Sequence, residues 1–388
     1  MMKNTSQRLF EISKYNPDAS LCYSILMNDG FYIKRTLRLA AKAQGMTSPN
    51  PMVGAVIVKN GRVISEDFHR KPGTPHAEAL AIEKAGESVN GSTLYVNLEP
   101  CCHTEKRTPP CTRAIINAGI KKVIVGMKDP NPKVSGRGIL ELQKTGLVVK
   151  SGILEEEAKR LNEFYIKYIT SGAPFVILKI AMTLDGKIAT PEGQSKWITG
   201  EKARKLVHRM RSRVDAIMTA IGTVRADDPQ LTARIKGGKS PRRIVIDPNL
   251  EIPLAARILQ MPPQTTIVTK INNSKANYLE KNGINIIYYK EKLDLNSLME
   301  RLGKMEITSV LIEGGSSLNA HALEDGIVDK VAFFIAPRII GGKRSFPAVG
   351  GESFRKLEEA YRITDLSVKR VGEDFLIEGY INRKGSFI

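Results

Sequence analysis

Asn50-Pro51-Met52-Val53-Gly54-Ala55-Val56-Ile57-Val58-Lys59-Asn60-Gly61-Arg62-Val63-Ile64 sets an Asn-Gly pair between two apolar runs. That pattern predicts a β-hairpin, because each run is strand-sized and Asn-Gly suits a two-residue turn. Outward from the hairpin, helix and strand patterns alternate. Upstream, a helix is expected over residues 31–44. Downstream come a helix over 76–85 closed by Gly86, a strand over 93–98, and a helix over 109–118 opened by proline and ended by Gly119. A strand over 122–127, a helix over 138–145, a strand over 147–150 and a long amphipathic helix over 154–170 complete a layered α/β domain.

Ser171-Gly172-Ala173-Pro174 has the composition of a linker. The expected organisation is an N-terminal extension over 1–29, open to disorder, a first domain over 30–172 and a second over 173–388. The second domain repeats the alternation, with strands expected at 175–181, 216–220, 243–247, 264–268, 284–289, 309–313 and 330–335. There is no repeat between the halves and no low-complexity tract.

The 388 residues, 42% hydrophobic and 26% charged, suffice for two cores. No apolar run approaches the roughly 18 residues of a membrane-crossing helix. Residues 21–27 are interrupted by Ser24 and lack a cleavage site, so secretion is not expected and a cytoplasmic location is. Of four cysteines, Cys101, Cys102 and Cys111 lie within eleven residues, which points to metal in a reducing compartment rather than to disulfides, while Cys22 stands apart. The net charge is +19, with twelve basic and four acidic residues over 201–243. Charge spread in this way suits pockets for phosphorylated small molecules; aromatic or helical elements for reading nucleic acid are not evident.

His76-Ala77-Glu78 opens one expected helix, Pro100-Cys101 follows a strand and Pro109-Pro110-Cys111 opens the next helix. One imidazole and two thiolates supply three ligands and leave a fourth position open, the pattern of catalytic zinc. Placement at helix N-termini favours thiolate over thiol. Glu78, two residues beyond the histidine, can take a proton from the attacking water and pass it to a leaving amine. Loss of ammonia from an amidine-like ring carbon is the reaction this set performs. A structural zinc with Cys102 or His103 as fourth ligand is the rival reading.

These segments, with Leu98-Glu99-Pro100-Cys101-Cys102-His103, Thr108-Pro109-Pro110-Cys111 and Asp129-Pro130-Asn131-Pro132, resemble the bifunctional pyrimidine deaminase/reductase family of riboflavin biosynthesis. The resemblance runs from about Asp29 to the C-terminus. It implies a cytidine-deaminase-like three-layer α/β domain followed by a dihydrofolate-reductase-like α/β domain. Nine residues separate Cys101 from Cys111, the mark of the riboflavin branch and an argument against a nucleic-acid deaminase. The resemblance further implies that Asn50 holds the pyrimidine and that His69, His103 and Arg107 meet the substrate or its phosphate.

In the second half, Leu178-Lys179-Ile180-Ala181-Met182-Thr183-Leu184-Asp185-Gly186, Ser195-Lys196-Trp197-Ile198-Thr199, Gly222-Thr223-Val224-Arg225-Ala226-Asp227-Asp228-Pro229 and Leu311-Ile312-Glu313-Gly314-Gly315 resemble the reductase of the same family, which uses NADPH. A strand ending in Gly-Gly before a helix offers amides to a pyrophosphate. The absence of a GxGxxG fingerprint disfavours a Rossmann domain. By resemblance, Ala181, Trp197, Thr223, Asp227 and Gly315, Ser316, Ser317, Leu318, Asn319, Ala320 and His321 contact NADPH. Lys179, Ser195, Arg211, Leu231, Arg234 and Glu313 line the ribotide site, with arginine pairing two phosphate oxygens at once. His208 and the Gly341-Gly342 turn receive no role. The expected ligands are one zinc ion in the first domain, NADPH in the second and a phosphorylated pyrimidine ribotide. A homo-oligomer is expected, with neither nucleic acid nor membrane as partner.

Overall fold

A computed structural model describes residues 17–103, 109–351 and 356–382. By internal contacts the chain divides between Thr170 and Ser171.

The first unit opens with α1 (Pro17–Ala40). The helix begins well before the expected residue 31: Pro17 supplies a preset first-turn φ, and the chain continues helically through Asn28-Asp29-Gly30. The 17–29 part of the expected extension is therefore helical, and residues 1–16 lie outside the described residues. Asp29, buried, accepts a hydrogen bond from the Tyr95 hydroxyl at 2.9 Å, which fastens the helix to the sheet.

β1 (Gly54–Lys59) and β2 (Arg62–Phe68) form the expected hairpin, with Asn60 and Gly61 at φ 50° and 74°. Then follow α2 (Ala77–Ala85), β3 (Thr93–Leu98), α3 (Cys111–Asn117), β4 (Lys122–Met127), α4 (Arg137–Lys144) and β5 (Val148–Ser151). The sheet order is β2-β1-β3-β4-β5, antiparallel on the hairpin side and parallel through β3, β4 and β5. Strand alternation sorts the two faces. Val56 and Val58 pack with Tyr32, Ile33 and Leu39 of α1, whereas Ala55 and Ile57 pack with Ala77, Ala81 and Ile115 of α2 and α3. Gly54 is required by close approach, since a Cβ there would lie 2.3 Å from the Thr36 carbonyl oxygen.

The single long helix expected over 154–170 is two helices, α5 (Glu155–Leu161) and α6 (Glu163–Ser171). Asn162, at φ −105°, breaks them because its side chain is bound to the Met52 backbone.

The second unit contains β6 (Phe175–Thr183), β7 (Lys187–Ala189), α7 (Glu201–Arg213), β8 (Ala216–Ala220), α8 (Ile221–Asp227), β9 (Arg242–Ile246) and β10 (Thr265–Thr269). It continues with α9 (Ser274–Lys281), β11 (Asn285–Tyr288), α10 (Leu295–Lys304), β12 (Ser309–Ile312), α11 (Ser316–Glu324), β13 (Lys330–Ala336), β14 (Phe346–Pro347), β15 (Ile363–Val371) and β16 (Asp374–Ile381). Among the described residues nine strands run in the order β11-β10-β9-β8-β12-β6-β13-β16-β15, parallel up to β13 and antiparallel beyond; β7 pairs with β14. The β15–β16 hairpin was not anticipated from the sequence. Its turn carries Gly372 at φ 72°, and β15 is largely exposed, so its apolar residues give no clean alternation. No helix among the described residues is long and apolar enough to cross a membrane.

Candidate active sites

In the first unit, ligand-bearing residues stand where elements begin or end. His76 immediately precedes α2 in extended conformation, and Cys111 is the first residue of α3. Cys101 follows β3 by way of Glu99 and Pro100. The buried Glu99 carboxylate accepts from the backbone N–H of Asp129 (3.1 Å), Gly136 (2.9 Å) and Ile139 (3.1 Å), which fixes the chain just before the cysteine. Gly138 allows that approach, since a Cβ there would sit 2.1 Å from the Pro100 carbonyl.

The result is a group of His76, Cys101 and Cys111 whose ligand atoms lie within 4.8 Å of one another. His76 Nδ1 is 3.5 Å from Cys101 Sγ and 3.2 Å from Cys111 Sγ. An imidazole and two sulfurs at this spacing fit a zinc ion, and Cys102 and His103 stand outside the group. Glu78 is buried, and its Oε2 has no hydrogen-bond partner among the described residues. Burial pushes its carboxyl pKa up, against the opposing pull of His76. A buried carboxyl with its pKa raised and one oxygen without a hydrogen-bond partner is suited to taking and giving a proton.

His69 and Asn50 meet beside this group. His69 Nδ1 lies 3.2 Å from the Pro75 carbonyl, which can only accept, so Nδ1 carries the proton and Nε2 accepts from Asn50 Nδ2 at 3.2 Å. Burial lowers the His69 pKa, which favours the neutral ring. Its ring centroid is 5.3 Å from that of His76. His103 is half-buried. Arg107, with Thr104, Glu105 and Lys106, lies outside the described residues.

In the second unit the register of β6 on β12 pairs Leu178 with Ile312 and so carries Lys179 alongside Glu313. Lys179 Nζ donates to Glu313 Oε2 at 3.0 Å. Arg211, from α7, grips both oxygens of Glu313, Nε to Oε1 at 2.6 Å and Nη2 to Oε2 at 2.9 Å. The bidentate face of Arg211, expected to meet phosphate, is therefore occupied by a carboxylate. Burial alone would raise the Glu313 pKa, but Arg211 and Lys179 outweigh it and hold the carboxyl below the usual range. The Thr232 carbonyl accepts from Arg211 Nη1 at 3.3 Å and lies 3.2 Å from His208 Nδ1, which anchors the loop carrying Leu231 and Arg234. Leu231 is buried with φ 52°, and Arg234 is exposed.

Ser195 Oγ lies 3.1 and 3.3 Å from the two Asp227 oxygens, and Lys196 Nζ is 3.4 Å from Oδ1. Trp197 is 62% exposed, with the Arg204 guanidinium 4.6 Å over its ring. The Gly314-Gly315 turn leads from β12 into α11, and a Cβ on Gly315 would lie 3.7 Å from Thr223 Oγ1. Ser316 Oγ and Asn319 Oδ1 are buried atoms with no hydrogen-bond partner among the described residues. The Ser316 hydroxyl, able to donate at a helix N-terminus, fits an anionic cofactor, whereas Asn319 Oδ1 can only accept, its amide nitrogen donating to the Ala348 carbonyl at 2.8 Å. Of the 315–321 run, Leu318 packs in the hydrophobic core and can offer a ligand only its backbone; His321 Nε2 lies 3.2 Å from Asp325 Oδ2, one turn further along, without hydrogen-bond geometry. Ala181 is half-buried on β6.

The sequence reading missed three positioning side chains. Asn97 and Asn162 hold the chain around Met52. Asp185, whose pKa is drawn down to about 2 by the Thr183 hydroxyl, accepts from the N–H of Ile340 and Gly341 and so gives the Gly341-Gly342 turn an anchor. Asp185 stands within the quoted Thr183–Gly186 motif; for the two asparagines no local signal exists.

Known proteins agree with this two-part construction. Residues 27–127 match the cytidine and deoxycytidylate deaminase zinc-binding region, and residues 174–377 match the RibD C-terminal domain. The riboflavin biosynthesis protein RibD of Actinobacillus pleuropneumoniae is 43% identical over 91% of this chain and 95% of its own, and that of Aquifex aeolicus is 44% identical over 90% and 97%. Among solved structures, Acinetobacter baumannii RibD superposes with a TM-score of 0.85 at 36% identity, covering 92% of this chain and all of its own. The diaminohydroxyphosphoribosylaminopyrimidine deaminase/5-amino-6-(5-phosphoribosylamino)uracil reductase of Thermotoga maritima gives 0.84 at 38% identity over 92% and 99%.

Proposed function

The chain belongs to the RibD family, a bifunctional riboflavin biosynthesis enzyme with zinc-dependent deaminase and NADPH-dependent reductase activities, and from its geometry we propose which residues carry each step. The observation that carries the first half is the cluster of His76, Cys101 and Cys111 beside a buried, unpaired Glu78 oxygen. Zinc held there supplies Lewis acidity and a nucleophilic water near neutral pH. Glu78 takes the proton at Oε2 as water attacks the ring carbon bearing the amine, and returns it to the departing ammonia. Asn50 and the neutral His69 orient the pyrimidine, and His103 and Arg107 meet the remainder of the ribotide.

In the second half NADPH supplies the hydride. The Ser316 hydroxyl and the first amides of α11 hold its pyrophosphate, with Asn319, Ala181, Trp197, Thr223 and Asp227 alongside. Lys179, Arg211 and Glu313 together keep one net positive charge, which favours a phosphorylated ligand. Arg234, exposed on the loop anchored through Thr232, is placed for the phosphate itself. The substrate is 2,5-diamino-6-ribosylamino-4(3H)-pyrimidinone 5′-phosphate, deaminated first; the ribosyl group is then reduced to ribityl. The enzyme works in the cytoplasm as a homo-oligomer, for which the exposed edge strand β15 offers a pairing surface.

Incubating the purified chain with that ribotide tests the reading. Ammonia release without NADPH, followed by loss of NADPH absorbance once it is added, is the expected result. NADPH oxidation with no preceding ammonia would overturn the order, and silence in both assays the substrate.

A further inference from the structure

Met52 stands between the proposed pyrimidine-holding Asn50 and the first strand of the sheet, and its backbone is bound by two buried amides distant in sequence. Its N–H donates to Asn162 Oδ1 at 2.8 Å, and its carbonyl accepts from Asn162 Nδ2 at 3.1 Å and from Asn97 Nδ2 at 3.0 Å. Asn97 Oδ1 in turn accepts from the Gly54 N–H at 2.8 Å. Asn162 is 1% exposed and Asn97 is fully buried. The partners fix the orientation of both amides, since a backbone N–H only donates and a carbonyl only accepts. One residue further on, the Val53 carbonyl accepts from the His69 N–H at 2.9 Å. The segment that Asn162 holds thus leads to both members of the Asn50–His69 pair.

Asn162 also ends α5 and begins α6. Its N–H donates to the Ala158 and Lys159 carbonyls, and its carbonyl accepts from Ile166. A continuous helix would not need this interruption. An asparagine whose backbone joins two helices and whose side chain forms a two-point pair with a strand-entry residue is a spacer of fixed length.

We propose that Asn162 is a positioning residue of the deaminase site, setting through Met52 the place at which Asn50 and His69 receive the pyrimidine ring. It acts through those residues and does not touch substrate. The proposal rests on the reading of Asn50 as the pyrimidine holder. Displacing a binding group by a fraction of an ångström weakens substrate capture while leaving the proton chemistry at Glu78 intact.

The test compares Asn50→Ala, Asn162→Ala, Asn162→Asp and the double variant Asn50→Ala/Asn162→Asp in the full chain, by deaminase kinetics and zinc content. The aspartate is isosteric, so it removes the donor to Met52 without opening a cavity, and it carries the test if the alanine variant does not fold. Asn162→Asp is expected to raise KM about tenfold with kcat within about threefold and one zinc per chain retained. The double variant should bind no worse than Asn50→Ala alone, because Asn162 works through the same contact. A wild-type KM in Asn162→Asp, effects that multiply in the double variant, or loss of zinc from both Asn162 variants would each overturn the proposal while leaving the Asn50 reading in place. A wild-type KM in Asn50→Ala would remove that reading and the proposal with it.

Discussion

Glu78 and Glu313 are both buried carboxylates, one in each half, and the structure treats them in opposite ways. Glu78 has an oxygen with no hydrogen-bond partner among the described residues, and burial raises its pKa. Glu313 has both oxygens bound by Arg211 and Lys179, which bring it below the usual range despite its burial. A group that must trade protons keeps one oxygen open at a cost in stability. A group that must hold two cations in place is saturated.

The largest effect follows from the first glutamate. Glu78→Gln keeps the shape and removes the proton carrier, so deamination should fall about 10²–10⁴-fold, read as ammonia release. Zinc content and NADPH oxidation on the deaminated ribotide should be unchanged. In metal-free protein the same substitution should raise the unfolding midpoint of the first half, because it removes a charge that burial penalises. Deamination at the wild-type rate would erase the contrast between the two carboxylates.

Glu313→Ala should act in the reverse sense. It leaves Arg211 and Lys179 without their shared counter-charge, which costs about 3–5 kcal/mol when a buried pair loses one partner. Calorimetry should show the second half unfolding at lower temperature and NADPH oxidation lost, with ammonia release intact. A stable, reducing variant would mean that the cations find other partners and that the saturation is incidental.

The contrast also explains what the sequence could reveal. His76, Cys101 and Cys111 are legible because each stands at an element boundary marked by proline or by a helix start, and the hairpin because Asn60-Gly61 encodes its turn locally. The α5–α6 break was hidden because Asn162 meets Met52 110 residues away, where no periodic signal reaches. That Arg211 closes on Glu313, 102 residues on, was equally beyond the reach of any local signal. The fold of the first half is mostly written in neighbours; the electrostatics of the second are written in pairs that only the sheet register brings together.

Acid should separate the halves next. Glu313 titrates below its ordinary 4.5, so its contribution to stability is present above that pH and is lost as pH falls towards the folded value. Asp129 has the opposite sign: burial raises it to about 6, so its contribution is present at pH below about 4 and is lost as pH rises through about 6. Unfolding followed from pH 3 to 8 should therefore show an acid-sensitive second half whose limb shrinks in Glu313→Gln, leaving the part that Asp185 carries. The first half should lose stability between about pH 4 and 7, a slope reduced in Asp129→Asn, where the raised Glu78 carboxyl still contributes. Identical pH profiles for the two halves would break the comparison.

The smallest effect refines the Asp129 side of it. Tyr165 on α6 donates its hydroxyl to Asp129 Oδ1 at 2.9 Å, and this bond favours the ionised carboxylate. Tyr165→Phe removes one hydrogen bond to a charged acceptor without disturbing the ring, at a cost of about 1–2 kcal/mol. Deprived of that donor, Asp129 holds its proton more tightly, so the pH at which the first half loses stability should move upward, and the loss at neutral pH should exceed the loss at pH 4. An equal cost at both values would mean that the hydroxyl only fills space beside Asp129, and that the backbone N–H of Asn131, 2.9 Å from the same oxygen, alone sets its charge.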